Sequence, residues 1–276
     1  MTKKDQTQVS IIVSAFKQPE ILKLCLSSLK KKLGSELKTQ VIVVDIEANR
    51  FNRDLLIEDF PEYEYLPIKT NVGLAKALNL GIQKAKAPYI LSLNPDIVIK
   101  SGAVKALYEY ARKDLKLGIA GPKLLNFNGT TQKSTFKFYT PLTIILRRTA
   151  LGRLPFFRQI LKKFFIKTKT NQPTRIKGWL MGSAMMMRRD NLRKVGLMDE
   201  RYFMYFEDVD WCRRFYQQGF HIVYVPQAQM FHYHAKLSAS KNILSLLFNH
   251  MTFIHFLSGI KYFMKFRGWR VKDQAR

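Results

Sequence analysis

Residues 89–99 read Tyr-Ile-Leu-Ser-Leu-Asn-Pro-Asp-Ile-Val-Ile. Tyr89–Leu93 is a short apolar run closed by the turn-forming Asn94-Pro95-Asp96, the pattern of a buried strand with Asn94 and Asp96 at its carboxyl end. The chain on either side follows the same grammar. Val9–Ser14 (VSIIVS) is β-branched and compact, a second buried strand. Pro19 opens a helix to about Lys31, and Val41–Val44 is a strand ending at Asp45. Tyr65–Ile68 is a weaker strand, followed by a helix from Gly73 to Ala85 with Leu74, Ala77, Leu78 and Ile82 on its inner face. Ser101 is placed to cap a helix running to about Lys113, and Ile119–Leu124 is a further strand. Strands alternating with helices across short connections predict an α/β fold: a mostly parallel, Rossmann-like sheet flanked by helices. Ligands of such sheets bind beyond the carboxyl ends of the strands, so Asp45 and Asp96 should converge on one crevice.

With 276 residues, 47% of them apolar, the chain can bury a full core, and one large domain with appendages is expected. The formal net charge of +27 calls for anionic partners: nucleic acid, an acidic membrane surface or phosphate-rich substrates. Cys25 and Cys212 lie in unrelated apolar helical segments and read as buried reduced thiols rather than a disulfide or metal pair. The segment Met1–Gln8 is polar and lacks the apolar core of a signal peptide.

The regular alternation stops near Asn126. From Leu115 to Arg189 there is no acidic residue, against 16 Lys plus Arg. Within this stretch, Phe156, Phe157, Ile160, Leu161, Phe164 and Phe165 share one helical side, with Arg158 and Lys162 opposite. A basic amphipathic helix rich in aromatics suits a membrane surface; a core helix with a solvated charged face has the same pattern. Asn242–Ile260 lacks charged side chains, yet Asn242, Ser245, Asn249 and Thr252 form a polar strip. That favours a helix lying in the membrane plane or packed on the protein over one that spans.

Asp208 to Gln218 reads as a helix stopped by Gly219, with Val209, Cys212, Phe215 and Tyr216 inward, and Ile222–Val225 as a strand ended by Pro226. Three acids, Glu207, Asp208 and Asp210, follow the aromatic run Tyr202–Phe206. They can cap a helix, or supply a general base whose pKa is raised among aromatics. Asn94 and Asp96 form either a plain turn or a site for a divalent cation and a ribose hydroxyl. His232 and His234 are either metal ligands or ordinary surface or core histidines. No helix–turn–helix, zinc-finger or RNA-binding signature accompanies the charge, and no Gly-x-Gly-x-x-Gly follows the first strand.

Taken in order, the segments VSIIVSAFKQPEILKLCLSSL, VIVVD, TNVGLAKALNLGI, YILSLNPDIVI, GPKLLNFNGTTQKS and GWLMGSAMMMRRDNLRKVGLMDERYFMYFEDVDWCRRFYQQGFHIVYVP resemble family-2 inverting glycosyltransferases of the GT-A fold. The Asn-Pro-Asp variant is similar to that of the rhamnosyltransferase-like members. The resemblance implies roles residue by residue: Ser14, Asp45, Asn71, Gly73, Asn79 and Asn94 at the nucleotide-sugar; Asp96 and His232 at Mg²⁺ or Mn²⁺; Trp179, Gly182 and Glu207 on the acceptor side; Asp208 as catalytic base. It implies a glycosyltransferase domain over 1–238, with a donor half to about 125, a membrane-facing insert at about 141–170 and an acceptor half at about 176–238. A basic amphipathic helical tail would follow at 239–276. The implied partners are a nucleotide-sugar donor (dTDP-rhamnose or a UDP-hexose), a polyprenyl-diphosphate-linked or cell-surface glycan acceptor and an anionic membrane. The implied place is the cytoplasmic face of the inner membrane, held peripherally, with no nucleic acid. A nucleic-acid-binding protein and a catalytically inactive membrane scaffold are the competing readings.

Overall fold

A computed structural model describes residues 6–148, 150–233 and 250–266. His234 and the polar-strip positions 242, 245 and 249 lie outside them.

The first half is built as the sequence predicts. Strands β1 (Val9–Phe16), β2 (Thr39–Ile46), β3 (Glu64–Ile68) and β4 (Tyr89–Leu93) run parallel in the order β3-β2-β1-β4. Helices α1 (Pro19–Lys32) and α3 (Leu74–Lys84) make the crossovers. Between β2 and β3 lies a helix the sequence reading left unassigned, α2 (Arg50–Asp59), capped by Asn49, whose Oδ1 accepts from the Asn52 N–H at 3.0 Å. After β4 come β5 (Ile97–Ile99), α4 (Ala103–Lys113) and β6 (Leu117–Leu125). Ser101 does not cap α4: Gly102 occupies that position at φ 76°, a left-handed conformation that a glycine adopts without strain.

The order turns from descending to ascending between β1 and β4, which opens a switch-point crevice at their carboxyl ends. The second half departs from the parallel rule. β10 (Ala184–Arg188) enters antiparallel between β4 and β6. β11 (His221–His232) then pairs parallel with β6 and antiparallel with β5 and with β8 (Thr174–Ile176). Pro226 does not end this strand: a register shift between Val225 and Gln229 absorbs the missing N–H, and β11 continues to His232.

Between β6 and β8 the chain leaves the sheet. A small hairpin pairs β7 (Thr135–Phe136) with β9 (Trp179–Leu180) and brackets a helical insert, α5 (Pro141–Arg148) and α6 (Pro155–Phe164). The six apolar residues read as one side of a helix are divided. Phe164 is buried, Phe156 is 74% exposed, and Phe165 lies past the end of α6 in a bridge to Phe136. Helix α7 (Arg189–Val195) ends at Gly196, and α8 (Glu207–Gln217) begins one residue before the expected Asp208. The last described helix, α9 (His250–Lys265), packs on the domain: the Ser258 hydroxyl donates to Met204 O at 2.9 Å, and Lys265 Nζ lies 2.6 Å from Asp210 Oδ1. Among the described residues no helix is long and apolar enough to cross a membrane. Cys25 and Cys212 are buried and free, and burial pushes both thiols up.

Candidate active site

β4 delivers Asn94 to the crevice, and its backbone N–H donates to Ser183 O at 2.8 Å. The chain turns at Pro95 and re-enters as β5, with Ile97 opposite His232 of β11. That antiparallel register sets Asp96 beside the imidazole, with Asp96 Oδ2 3.4 Å from His232 Nε2. The other ring nitrogen is 2.8 Å from Gln132 Oε1. Gln132 Nε2 already donates to Asn126 Oδ1 and to His232 O, so its Oε1 must accept and His232 Nδ1 must carry a proton. In the neutral ring this aims the Nε2 lone pair toward a carboxylate oxygen. Asp96 Oδ1 is also buried, with no partner among the described residues.

A divalent cation between Asp96 and His232 satisfies all three electron-rich atoms, so the residues fit Mg²⁺ or Mn²⁺. No group of three His, Cys, Asp or Glu placed to hold a metal ion exists among the described residues, which leaves the remaining coordination to water and phosphate oxygens, as such ions prefer.

Asp45, the penultimate residue of β2, is fully buried. It accepts from Asn52 Nδ2 at 2.7 Å and from the Tyr65 hydroxyl at 2.8 Å. Ser14, opposite Val44 on β1, is buried one strand away. Asn71 is exposed, and its Oδ1 accepts from the Gly73 N–H at 3.1 Å. Gly73 sits at φ 81° with Phe203 O against it: a Cβ there would fall 2.5 Å from that oxygen. Asn79 is not in the crevice. Its amide is spent on Met198 N, Met198 O and Glu200, tying α3 to the 198–200 loop. Lys17, Gln18, Glu47, Tyr205 and Phe206 hold positive φ without being glycine, and all stand in loops at the carboxyl ends of β1 and β2 or before α8.

Across the crevice, Asp208 opens α8 after Glu207. Gly182 N–H donates to Asp208 Oδ2 at 3.0 Å and Val209 N–H to Oδ1 at 2.8 Å. Burial pushes the Asp208 carboxyl above its usual range; the backbone donors and the Arg147 charge pull against it. Glu207 is driven up further, by burial first and by the Asp208 charge second, and its Oε2 finds no partner among the described residues. Two adjoining buried carboxyls cannot both ionise cheaply, so the charge on either one holds up the pKa of the other. Asp210, the third acid of the run, faces away and is buried between Arg214 and Lys265.

Trp179 is buried rather than presented to the crevice. It stacks on Phe136 at 4.4 Å, and its Nε1–H donates to Lys137 O. Tyr139 lies against Trp179 and Phe206, so these rings form a wall beside Asp208. Gln132 and Arg147 are the functional candidates that sequence reasoning missed. Gln132 stood inside a recognised segment without a role. Arg147 was one of the many cations of an acid-free stretch, and nothing in its spacing marks it. A separate cavity of about 670 Å³, bordered by Thr7, Lys30, Gly34 and Lys86, sits at the amino ends of β1 and β2, away from these carboxylates.

Glycosyl transferase family 2 matches residues 10–196, more than half of the chain. The chain belongs to this family. The N-acetylglucosaminyl-diphospho-decaprenol L-rhamnosyltransferase of Mycobacterium tuberculosis is 28% identical over 241 residues, 82% of this chain and 76% of that protein. The dTDP-rhamnosyl transferase RfbF of Shigella flexneri is 27% identical over 206 residues, 72% of this chain and 62% of that one. Rhamnosyltransferase WbbL of Escherichia coli is 28% identical over 152 residues, 52% of each. Among solved structures, GalNAc-T7 with UDP, GalNAc and Mn²⁺ superposes at a TM-score of 0.63 and 18% identity, over 83% of this chain and 44% of that one. Staphylococcus aureus TarS superposes at 0.55 and 15%, over 82% and 36%. Such identities speak for the fold alone, which is GT-A. The family-2 glycosyltransferase is thus an enzyme with rhamnosyltransferase relatives.

Proposed function

We propose that this glycosyltransferase moves a sugar from a nucleotide-diphosphate donor, rhamnose from dTDP-rhamnose before a hexose from a UDP-hexose, to a polyprenyl-diphosphate-linked glycan, with inversion. The observation that carries this reading is the meeting of two unlike carboxylate sites at one end of one sheet. Asn94 of the donor side bonds Ser183, and the neighbouring Gly182 bonds Asp208. The rhamnosyltransferase relatives supply the sugar class.

Asp208 takes the proton of the acceptor hydroxyl as that oxygen attacks the anomeric carbon. The bond from that carbon to the donor phosphate breaks in the same displacement, and the nucleotide diphosphate leaves from the opposite face. Glu207, kept protonated by burial, adds no second negative charge at the base. Asp45, Ser14, Asn71 and Gly73 border the nucleotide end of the crevice. Asp96 and His232 would hold the divalent cation, which when bound neutralises the leaving diphosphate.

Apolar side chains of α5 (Leu142, Ile145), α6 (Phe156) and α9 (Phe253, Phe256, Met264) stay exposed beside a cationic insert. This supports peripheral seating on an anionic membrane, on the cytoplasmic face where the nucleotide sugar is available. The test is sugar transfer, with product stereochemistry read by NMR, for wild type and Asp208→Asn. The variant should lose at least a hundredfold in kcat while donor binding, followed by thermal shift, stays near normal. A fully active D208N would overturn the assignment.

A further inference from the structure

Among the described cations of the insert, Arg147 stands out by its ring contacts. It lies near the end of α5, is exposed, and pairs with no carboxylate among the described residues. Its guanidinium sits 5.4 Å from the ring centre of Phe136, 5.6 Å from Tyr139 and 5.3 Å from Phe164, and it donates to the Tyr139 hydroxyl. Three rings and a hydroxyl hold a fork of N–H donors in place while part of it faces solvent. Such an arrangement is suited to bidentate recognition of phosphate oxygens.

The position is as informative as the chemistry. Tyr139 stacks within 5.2 Å of Phe206, the residue that precedes Glu207 and Asp208, so Arg147 stands one aromatic layer from the base. On its other side α5 exposes Leu142 and Ile145. Helix α9 lies alongside: a Cβ on Gly259 would fall 3.9 Å from Ile144, and Ile260 next to it is exposed. Outward from Asp208 lie a layer of buried rings, Phe206 and Tyr139, then the Arg147 cation at the surface, then an exposed apolar face. A lipid-linked sugar carries, outward from its reacting hydroxyl, a diphosphate and then a prenyl chain, which match the cation and the apolar face.

We propose that Arg147 binds the diphosphate of the lipid-linked acceptor and so selects prenyl-diphosphate acceptors over phosphate-free ones. This rests on the glycosyltransferase reading above and adds to it the group that recognises the acceptor's linker. The donor's leaving diphosphate shares the chemistry, so the experiment keeps the donor pocket filled. With saturating dTDP and Mn²⁺, binding of farnesyl diphosphate and of farnesol is measured on the full chain for wild type, Arg147→Gln and Arg147→Lys. Melting temperature serves as the folding control.

Wild type should bind farnesyl diphosphate at least about tenfold tighter than farnesol. R147Q should lose most of that preference and R147K only part, with farnesol affinity and dTDP affinity unchanged in both. The proposal is overturned if R147Q keeps the preference, if wild type has none, or if R147Q weakens dTDP as much as farnesyl diphosphate, which would assign Arg147 to the leaving nucleotide. Failure of the underlying reading would look different: no sugar transfer and no dTDP binding, with the farnesyl diphosphate preference intact.

Discussion

Gly182 and Asp208 are in contact through the backbone of one and the side chain of the other. The Gly182 N–H donates to Asp208 Oδ2 at 3.0 Å, and a Cβ on residue 182 would lie 3.0 Å from the Asp208 Cβ. Gly182→Ala must push the carboxylate or the start of α8 by a few tenths of an ångström. A displacement of that kind at a general base costs turnover more than binding. We expect kcat to fall about tenfold to a hundredfold with donor affinity unchanged, read by steady-state kinetics beside a donor-binding isotherm.

The Glu207–Asp208 pair sets opposite pH trends for activity and stability. Burial raises both carboxyls, so the base form of Asp208 is lost as pH falls, and the acid limb of kcat/KM should lie above the ordinary carboxylate range. For stability the sign reverses. A folded-state pKa above the unfolded value means the native state binds more protons between the two. The stability this contributes is full below the unfolded value and is lost as pH rises through the folded one. Glu207→Gln removes that loss, so its melting temperature should exceed wild type more at pH 9 than at pH 5. Equal differences at the two pH values would show that Glu207 is not held protonated.

Gln132 offers a test of the cation site that leaves both proposed ligands, Asp96 and His232, in place. Its Oε1 accepts from His232 Nδ1–H and so turns Nε2 toward Asp96. Gln132→Leu should weaken the Mn²⁺-dependent rise in melting temperature with dTDP-rhamnose by about tenfold in apparent metal affinity, the usual effect of losing such a support. Asp96→Ala should abolish the metal dependence altogether. Metal-independent donor binding in wild type, unchanged by chelator, would remove the cation from this site.

These residues also show what was legible in the sequence. The apolar runs at Val9, Val41 and Tyr89 and the short crossovers specify the parallel half, because β-branched segments buried on both faces have few other ways to fold. Asp45, Asp96 and Asp208 were visible because each lies beside the end of an apolar run or the start of a helical pattern, where a carboxylate is conspicuous in so basic a chain. What stayed hidden depends on register. The pairing of Ile97 with His232 across the sheet makes the Asp96–His232 contact, and no local pattern encodes it. The burial of Trp179 and the turning of Asn79 to Met198 are likewise tertiary. Pro226 misled because a strand that shifts register can pass over a proline.

The outward faces of α5, α6 and α9 carry the last prediction. Phe256 of α9 and Phe156 of α6 are 63% and 74% exposed, and Leu142 and Ile145 of α5 are nearly half exposed. Large apolar side chains in water contribute nothing to folding, but each is worth about 1.5–3 kcal/mol when fully transferred to an apolar phase. Lysines and arginines near an anionic surface add about 1 kcal/mol each. The double substitution Phe156→Ser with Phe256→Ser should therefore lower co-sedimentation with anionic phospholipid vesicles by at least about tenfold. The fold and donor binding should persist, since neither ring is buried in the core. Raising salt should weaken wild type and variant by the same factor, because the basic residues are untouched. If the double variant sediments as wild type does, these faces are not what meets the lipid. If wild type stays in the supernatant at physiological salt, the peripheral-membrane reading is wrong.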